Sequence, residues 1–203
     1  MRKDTVETRR RIIDTAEQLF AERGVESVSL VEIAKASGQK NRSALQYHFT
    51  NKEGLLNAVL DKHAENISVS RRLMLDALDE RGDYGLYELV EALVLPMASQ
   101  LDNEDGGQAF LKIHSQLMTT EAYRELRQQR DDSDPVTRRL VTMTTKFLPT
   151  DDPDSVHARM LLTGCLLIHG LAIYLTRSDA ISRSTYLQVL IQSIVDLILQ
   201  EPV

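Results

Sequence analysis

Apolar residues recur at three- and four-residue spacing along most of the chain, and this periodicity limits what the chain can fold into. No segment shows the alternation of apolar and polar residues that is expected of a half-buried strand. In the last apolar run, Gln188, Gln192, Asp196 and Gln200 form one narrow polar stripe on an otherwise apolar helix. We therefore predict an all-α fold.

Charge is unevenly divided along the 203 residues, whose net charge is -6. Residues 1–60 carry ten Lys and Arg against eight Asp and Glu, whereas residues 61–203 carry fourteen against twenty-two. A weakly basic N-terminal part can approach a polyanion that the acidic remainder would repel. We expect two parts, residues 1–51 and 52–203, with the helix that starts at Lys52 linking them.

The N-terminal part is predicted to contain three helices. The first covers residues 4–23. Ser29 and Glu32 have the spacing of a capping box, which predicts a second helix over residues 30–36. A third helix over residues 42–49 follows a turn that contains a glycine. Two short helices joined by a glycine turn are a helix-turn-helix pattern.

The C-terminal part is predicted to consist of helices over residues 52–78, 84–101, 108–118, 121–130, 135–147, 155–175 and 185–200. Pro96 is expected to kink or break its helix. Asp134 and Asp152 each precede a proline, which is the pattern of an N-cap followed by proline at the first helical position. The acidic linkers around them are interpreted as solvated turns, and the apolar run over residues 160–175 as a buried helix, since about 20 residues are needed to span a bilayer.

The third helix has an outward face suited to a DNA duplex. If Leu45 and Phe49 face the core, Tyr47 points outward, flanked by small side chains that let the helix enter a major groove. Glutamine can pair with adenine and arginine with guanine, while tyrosine and lysine can hold phosphates. The candidates on these grounds are Lys40, Arg42, Ser43, Gln46, Tyr47 and Lys52. A solvated helix face is the alternative interpretation.

This order of elements resembles the DNA-binding domain of the tetracycline-repressor (TetR) family. The resemblance is carried by IIDTAEQLFAERGVESVSLVEIAKASG and LQYHFTNKEGLLNAV and covers about residues 8–60. It implies an all-helical N-terminal helix-turn-helix domain followed by a helical ligand-binding and dimerisation domain. It also implies a dimer formed through the last two helices, and release from DNA when a small molecule binds the C-terminal domain.

By position, the resemblance further implies DNA contacts from Ser29, Tyr47, His48 and Lys52. The stretch from Gly38 to Phe49 is one position longer than the family's commonest spacing. Three residues therefore stay open as the ones that reach the bases: Lys40, Asn41 and Arg42.

The last two helices carry more apolar surface than one neighbour can cover. We predict that they pack against the chain's own core on one side and a second subunit on the other, with a large monomer core as the alternative. The candidate interface residues are Leu161, Gly164, Ile168, Leu187, Leu190, Ile191, Ile194, Leu197 and Ile198.

A ligand pocket of the family's type would lie between the middle helices. Its candidate residues are Met74, Met97, Phe110, His114, Met118, Met143, Phe147, Cys165, His169 and Tyr174. An apolar lining with a few polar groups suits a hydrophobic or aromatic molecule, and plain core packing is the alternative.

Enzyme classes find no support in the sequence. The five histidines form no HExxH motif, the single Cys165 lies in an apolar helix, and the acidic clusters lack EF-hand order. We predict no catalysis, no metal and no cofactor, and a cytoplasmic location because the start has no apolar signal segment. The predicted function is a ligand-responsive transcriptional regulator that represses a pseudo-palindromic DNA operator as a dimer. The alternative is a dimeric small-molecule-binding or protein-docking module that does not read DNA.

Overall fold

The computed structural model of the protein describes residues 3–39, Leu45, and residues 47–178 and 180–201. Over these residues it is all-helical, as predicted, with nine α-helices, two 3-10 turns and no strand. The helices are α1 (Lys3–Arg23), α2 (Leu30–Ala36), α3 (Lys52–Arg81), α4 (Leu86–Ala98), α5 (Gly107–Thr119), α6 (Arg124–Ser133), α7 (Pro135–Thr145), α8 (Pro153–Tyr174) and α9 (Arg183–Leu199).

Helix starts follow the capping chemistry that the sequence predicts. Ser29 Oγ accepts the backbone N–H of Glu32 at 3.2 Å, and the Glu32 carboxylate accepts the backbone N–H of Ser29 at 2.8 Å. Asp134 and Asp152 each accept a backbone N–H from the first turn of α7 and α8, respectively. These hydrogen bonds confirm the predicted caps. The caps could be predicted because capping depends only on residues that are close in sequence.

Pro96 lies inside α4, and the α-helix continues only to Ala98 before the 3-10 turn Ser99–Leu101. The predicted helical run over residues 84–101 is therefore present, and it changes from α to 3-10 geometry two residues after the proline. A proline has no N–H, and the carbonyl of Ala92 therefore loses its donor within the helix. The buried Arg71 of α3 replaces that donor: its Nε lies 3.3 Å from Ala92 O and its Nη2 lies 3.4 Å from Leu93 O. Its Nη1 donates to Thr137 Oγ1 at 2.9 Å, which ties α3 and α4 to α7.

Helices α8 and α9 pack closely against each other in antiparallel orientation. Arg159 near the start of α8 donates to the carbonyls of Leu197 and Ile198 at the end of α9, at 2.8 and 3.3 Å. A Cβ atom on Gly170 would lie 3.1 Å from the Leu190 side chain. The glycine therefore permits the close approach of the two backbones.

One apolar core runs from Ile12 on α1 to Ile198 on α9, and a smaller apolar cluster lies between α3, α4 and α7. Within this core, α1 packs against α5 and α3. The N-terminal helices are therefore seated directly on the C-terminal part.

Candidate DNA-binding face and effector region

The described residues of the predicted third helix of the N-terminal part differ in the direction that they face. Leu45 and Phe49 are buried, whereas Tyr47 between them is 78% exposed. The rings of Tyr47 and His48 meet edge to face, with centroids 5.1 Å apart. Tyr47 is thus exposed on the outward side, and His48 lies half-buried next to it. Five other DNA-binding candidates lie outside the described residues: Lys40, Asn41, Arg42, Ser43 and Gln46.

An arginine from α1 joins this aromatic surface. The Arg9 guanidinium lies 5.2 Å from the centre of the Phe49 ring, which is within cation–π range. Burial and the positive charge of Arg9 lower the pKa of His48 below its ordinary value. The next residue, Arg10, instead faces Asp14 and Asp105 at 3.7 and 3.9 Å. Adjacent arginines of α1 therefore serve different surfaces.

Lys52 lies at the N-terminus of α3, where the Asn51 side chain accepts the backbone N–H of Gly54 at 2.8 Å. Its ammonium group donates to the backbone carbonyl of Glu26 at 3.1 Å. Burial lowers the pKa of Lys52, while the negative charges of Glu26 and Glu32 oppose that shift. A helix N-terminus and an ammonium group together favour an anion. The lysine is thus held at a position suited to a phosphate.

Ser29 is exposed at the start of α2, but its hydroxyl is engaged within the protein. It donates to the Glu32 carboxylate at 2.8 Å and accepts the Glu32 backbone N–H. The backbone hydrogen bond from Ser29 and the side-chain hydrogen bond from Arg23 lower the pKa of Glu32 to about 2. A DNA contact from the Ser29 hydroxyl would have to share it with this cap.

The ligand-pocket candidates are divided among three places. Met74, Met143 and Phe147 belong to the small cluster between α3, α4 and α7. Four others pack in or against the main core: Met97, Phe110, Met118 and Tyr174. Cys165 and His169 line a cavity of about 470 Å³ between α8 and α9. The structure therefore does not bring all these candidates to one cavity.

His114 of α5 is set apart by an unpaired polar atom. Within the part of the chain that the structure describes, two buried side-chain atoms lack a hydrogen-bond partner, His114 Nδ1 and Thr163 Oγ1. They lie on α5 and α8, which pack against each other. His114 retains some exposure as a residue, but its Nδ1 is shielded and its ring meets Phe110 edge to face at 5.1 Å. Burial, with a smaller effect from the charges of Arg130 and Arg127, lowers the pKa of His114 to about 4.

This low pKa predicts a loss of stability in mild acid. Between the folded-state pKa of about 4 and the ordinary value of 6.5, the unfolded chain binds more protons than the folded one, so stability falls as pH falls through that window. We expect the free energy of unfolding to be about 2 kcal/mol lower at pH 5 than at pH 7.5 for this reason. His114→Gln should remove that part of the pH dependence, as measured by urea unfolding at both pH values. The same change at the exposed His157 is the control, and an unaltered pH dependence in His114→Gln would contradict the prediction.

Helices α8 and α9 share a face of exposed apolar side chains. Leu161, Leu162 and Ile173 on α8 and Val189 on α9 are 49 to 60% exposed. This face contains the cavity of about 470 Å³ noted above. Within the described residues, only α8 is long and apolar enough to span a membrane by length and composition. Its other side is buried in the core, so its hydropathy reflects two apolar faces.

The position of this face corrects the predicted dimer interface. Five of the candidates are buried inside the chain itself: Ile168, Leu190, Ile191, Ile194 and Ile198. A Cβ atom on Gly164 would lie 3.8 Å from Met118, so this glycine faces α5. Leu187 and Leu197 are partly buried, and Leu161 is exposed. The difference arises because α9 packs on α4 and on α8, and α8 also packs on α5, within the chain itself.

Sequence analysis missed a group of buried polar residues around Glu17. This carboxylate is 2% exposed and lies against Lys62 and His63 of α3. The available signal was the position of Glu17 four residues after Ile13 and three before Phe20, on the apolar side of α1. A charged residue on an apolar helix face requires a partner from elsewhere in the fold.

The fold and the exposed aromatic face define a helix-turn-helix protein with a helical C-terminal part. A sequence model described as "Bacterial regulatory proteins, tetR family" matches residues 12–59. Residues 12–59 therefore match the DNA-binding domain that characterises this family.

Three relatives illustrate the similarity. The HTH-type transcriptional regulator AcrR of Shigella flexneri is 41% identical over 66 residues, which are 32% of this chain and 30% of AcrR. The HTH-type transcriptional regulator TtgR of Pseudomonas putida is 31% identical over 137 residues, 65% of this chain and 61% of TtgR. The crystal structure of NalD, the secondary repressor of the MexAB-OprM multidrug efflux pump in Pseudomonas aeruginosa, has a TM-score of 0.63 at 21% identity and covers 98% of both chains. The matches thus span less than two thirds of the two curated relatives, and NalD supports the fold alone.

Proposed function

We propose that the protein is a dimeric transcriptional repressor that binds a pseudo-palindromic DNA operator and is released by a small hydrophobic or aromatic effector. The observation that carries the proposal is the exposed Tyr47, which lies next to His48 in the segment that matches the family. Arg9 of α1 lies over the neighbouring Phe49 ring, and Lys52 begins the next helix. An exposed aromatic side chain and basic side chains suit phosphate and base contacts.

The division of labour follows the two-part charge pattern. Residues 1–51 form the DNA-binding domain in this proposal, and residues 52–203 form the effector and dimerisation domain. We assign base contacts to Gln46 and one of Lys40, Asn41 and Arg42, with Ser43 leaving room for the groove and Tyr47 holding a phosphate. Lys52, His48 and Ser29 would contact the backbone at its edges.

A second copy of this chain is the proposed partner of the α8–α9 face. Exposed apolar side chains on two adjacent antiparallel helices can pack on their symmetry mates as a four-helix bundle. Two N-terminal domains would then lie on one side of the duplex, with their third helices in successive major grooves about 34 to 36 Å apart.

We place the effector beside α5, where the unpaired Nδ1 of His114 and Oγ1 of Thr163 could receive a polar group. Apolar side chains such as Phe110 and Met118 would cover the remainder of a hydrophobic molecule. Because α5 also packs against α1, an effector there could displace the DNA-binding domain.

We infer no enzymatic role and a cytoplasmic location. The named relatives are transcriptional regulators, and a DNA-reading protein must share the compartment of the DNA. Within the described residues, no group of three His, Cys, Asp or Glu side chains is arranged to hold a metal ion.

Selection of bound sequences from a random duplex pool tests the function. A palindromic selected duplex, bound much more weakly at the higher of two salt concentrations, would support a dimeric DNA-binding protein. No enriched duplex at low salt, with or without a panel of aromatic compounds, would overturn it in favour of a docking module.

Lys52→Ala should weaken binding to all duplexes, selected or random, by roughly tenfold and reduce the salt slope by about one phosphate contact. The reason is that its ammonium group lies at a helix N-terminus suited to a phosphate. Titrations at three salt concentrations measure both effects, and the control is Lys112→Ala, which changes an exposed lysine of α5.

Arg42→Ala or Gln46→Ala should instead relax the preference at one base pair by about 1 to 3 kcal/mol. Equal losses on every duplex for all three variants would refute this division of roles.

A further inference from the structure

A buried carboxylate joins α1 to the C-terminal part. Glu17 is 2% exposed, and two basic side chains of α3 reach it. Lys62 Nζ lies 2.8 Å from Glu17 Oε2, and His63 Nε2 lies 2.5 Å from Glu17 Oε1. Since carboxylates are almost never fully buried unless they are paired, these contacts explain how Glu17 occupies the core.

The segment before α5 closes over the same carboxylate. His63 Nδ1 lies 2.9 Å from Gln100 Oε1, and Asn103 Nδ2 donates to that oxygen at 2.9 Å. A Cβ atom on Gly106 would lie only 2.0 Å from Glu17 Oε2, and the backbone there has φ of +89°. Only a glycine can bring the chain this close.

Lys62 binds three carboxylates from two elements. Its ammonium group lies 2.9 Å from Asp14, 2.8 Å from Glu17 and 3.1 Å from Asp105. Burial alone would lower the pKa of Lys62, but the hydrogen bonds to these carboxylates raise it above its ordinary value. The lysine therefore stays charged and ties α1 to α3 and to the loop before α5. We call the whole group the Glu17 junction: Asp14, Glu17, Lys62, His63, Gln100, Asn103, Asp105 and Gly106.

A second polar attachment holds the end of α1. Gln116 of α5 accepts the backbone N–H of Val25 at 3.0 Å and donates to the backbone carbonyl of Phe20 at 3.2 Å. Six positions separate Glu17 from the last residue of α1, Arg23, which is roughly 9 Å along the helix axis, and Val25 lies beyond that end. Apolar burial between α1 and α5 is not directional, whereas hydrogen bonds are. Two separated sets of hydrogen bonds therefore fix both the position and the rotation of α1.

We propose that Glu17 and Gln116 set the half-site spacing that the dimer accepts, by fixing the third helix of each subunit relative to the α8–α9 face. The inference rests on the proposed function and assigns it two specificity-determining residues that lie away from the DNA. One extra base pair between half-sites moves the second half-site by about 3.4 Å and turns it by about 35°. DNA-binding domains that are held rigidly on the C-terminal part cannot follow that change. Domains whose attachment is loosened can reorient to reach the displaced half-site.

The test uses the duplex selected by the wild-type chain and two versions whose centre is one base pair longer or shorter. We expect the wild type to bind the altered duplexes about a hundredfold more weakly, because both half-sites cannot be engaged at once. In Glu17→Gln and in Gln116→Met, that difference should shrink to about tenfold or less, while the base preference within each half-site stays as in the wild type.

Glu22→Gln is the matched control. Glu22 is exposed on the same helix and makes no hydrogen bond or ion pair among the described residues, so this change removes the same charge without touching the junction. Gln116→Met leaves no buried charge unpaired and decides the question if circular dichroism shows that Glu17→Gln is unfolded. Folded variants that keep the wild-type spacing preference would overturn this inference alone. A wild type that selects no duplex would overturn the proposed function as well.

Discussion

A double substitution of Ile173→Glu and Val189→Glu should convert the protein to a monomer and reduce operator affinity by about a hundredfold or more. These side chains are 57% and 60% exposed in the single chain, so glutamates there remain hydrated and folding should be unaffected. A two-fold dimer contains both substitutions in each subunit, so the interface would bury four carboxylates without partners of opposite charge. Light scattering gives the mass, and titration of the selected duplex gives the affinity.

Val141→Glu is the matched control for this prediction. Val141 on α7 is 40% exposed and lies on a helix that contributes nothing to the α8–α9 cavity. The control should stay dimeric with wild-type affinity. If the double variant were still dimeric, the α8–α9 face would not be the interface, and a monomer with undiminished affinity would show that one subunit suffices for DNA binding.

Local chemistry explains which parts of the fold could be predicted. Periodicity and caps involve residues within four positions of one another, so α2 was predicted over its full length and most other helix ends to within a few residues. The contact that accommodates Pro96 inside α4 was not predictable in this way. It depends on Arg71, which lies 25 positions earlier and reaches α4 only in the folded chain.

The dimer face shows a second limit of the sequence pattern. The polar stripe of α9 identified its solvated side, and residues 188, 192, 196 and 200 are indeed exposed. The rest of the helix is apolar, and periodicity cannot say which apolar side meets the chain's own core. Packing on α4 decides this, and it buries Ile191 and Ile194 while leaving Val189 exposed.

The DNA-binding face and the Glu17 junction also differ in how far local sequence predicts them. The outward position of Tyr47 follows from its offset against Leu45 and Phe49, which is a property of one helix. The Glu17 junction gathers residues from α1, α3 and the segment before α5, and no spacing in the sequence connects them. Functional coupling between domains depends on such long-range contacts, and sequence reasoning is weakest there.

Arg71→Leu should lower the free energy of unfolding by about 2 to 4 kcal/mol, because it leaves the buried carbonyl of Ala92 without a donor. Pro96 is the cause of that need, since an alanine at this position would supply the missing N–H. Pro96→Ala should therefore change the free energy of unfolding more favourably in the Arg71→Leu background than in the wild type. We expect the two effects to differ by about 1 kcal/mol or more. Urea unfolding of the four chains in this double-mutant cycle measures the difference.

The neighbouring residue supplies the control for the cycle. Arg72 is exposed on the same helix turn, so Arg72→Leu removes the same charge and the same hydrogen-bonding group without uncovering a buried carbonyl. It should change stability by no more than about 0.5 kcal/mol. Equal losses from Arg71→Leu and Arg72→Leu would show that α4 does not need the guanidinium. An effect of Pro96→Ala that is the same in both backgrounds would show that Arg71 acts by packing and not by replacing the donor that proline lacks.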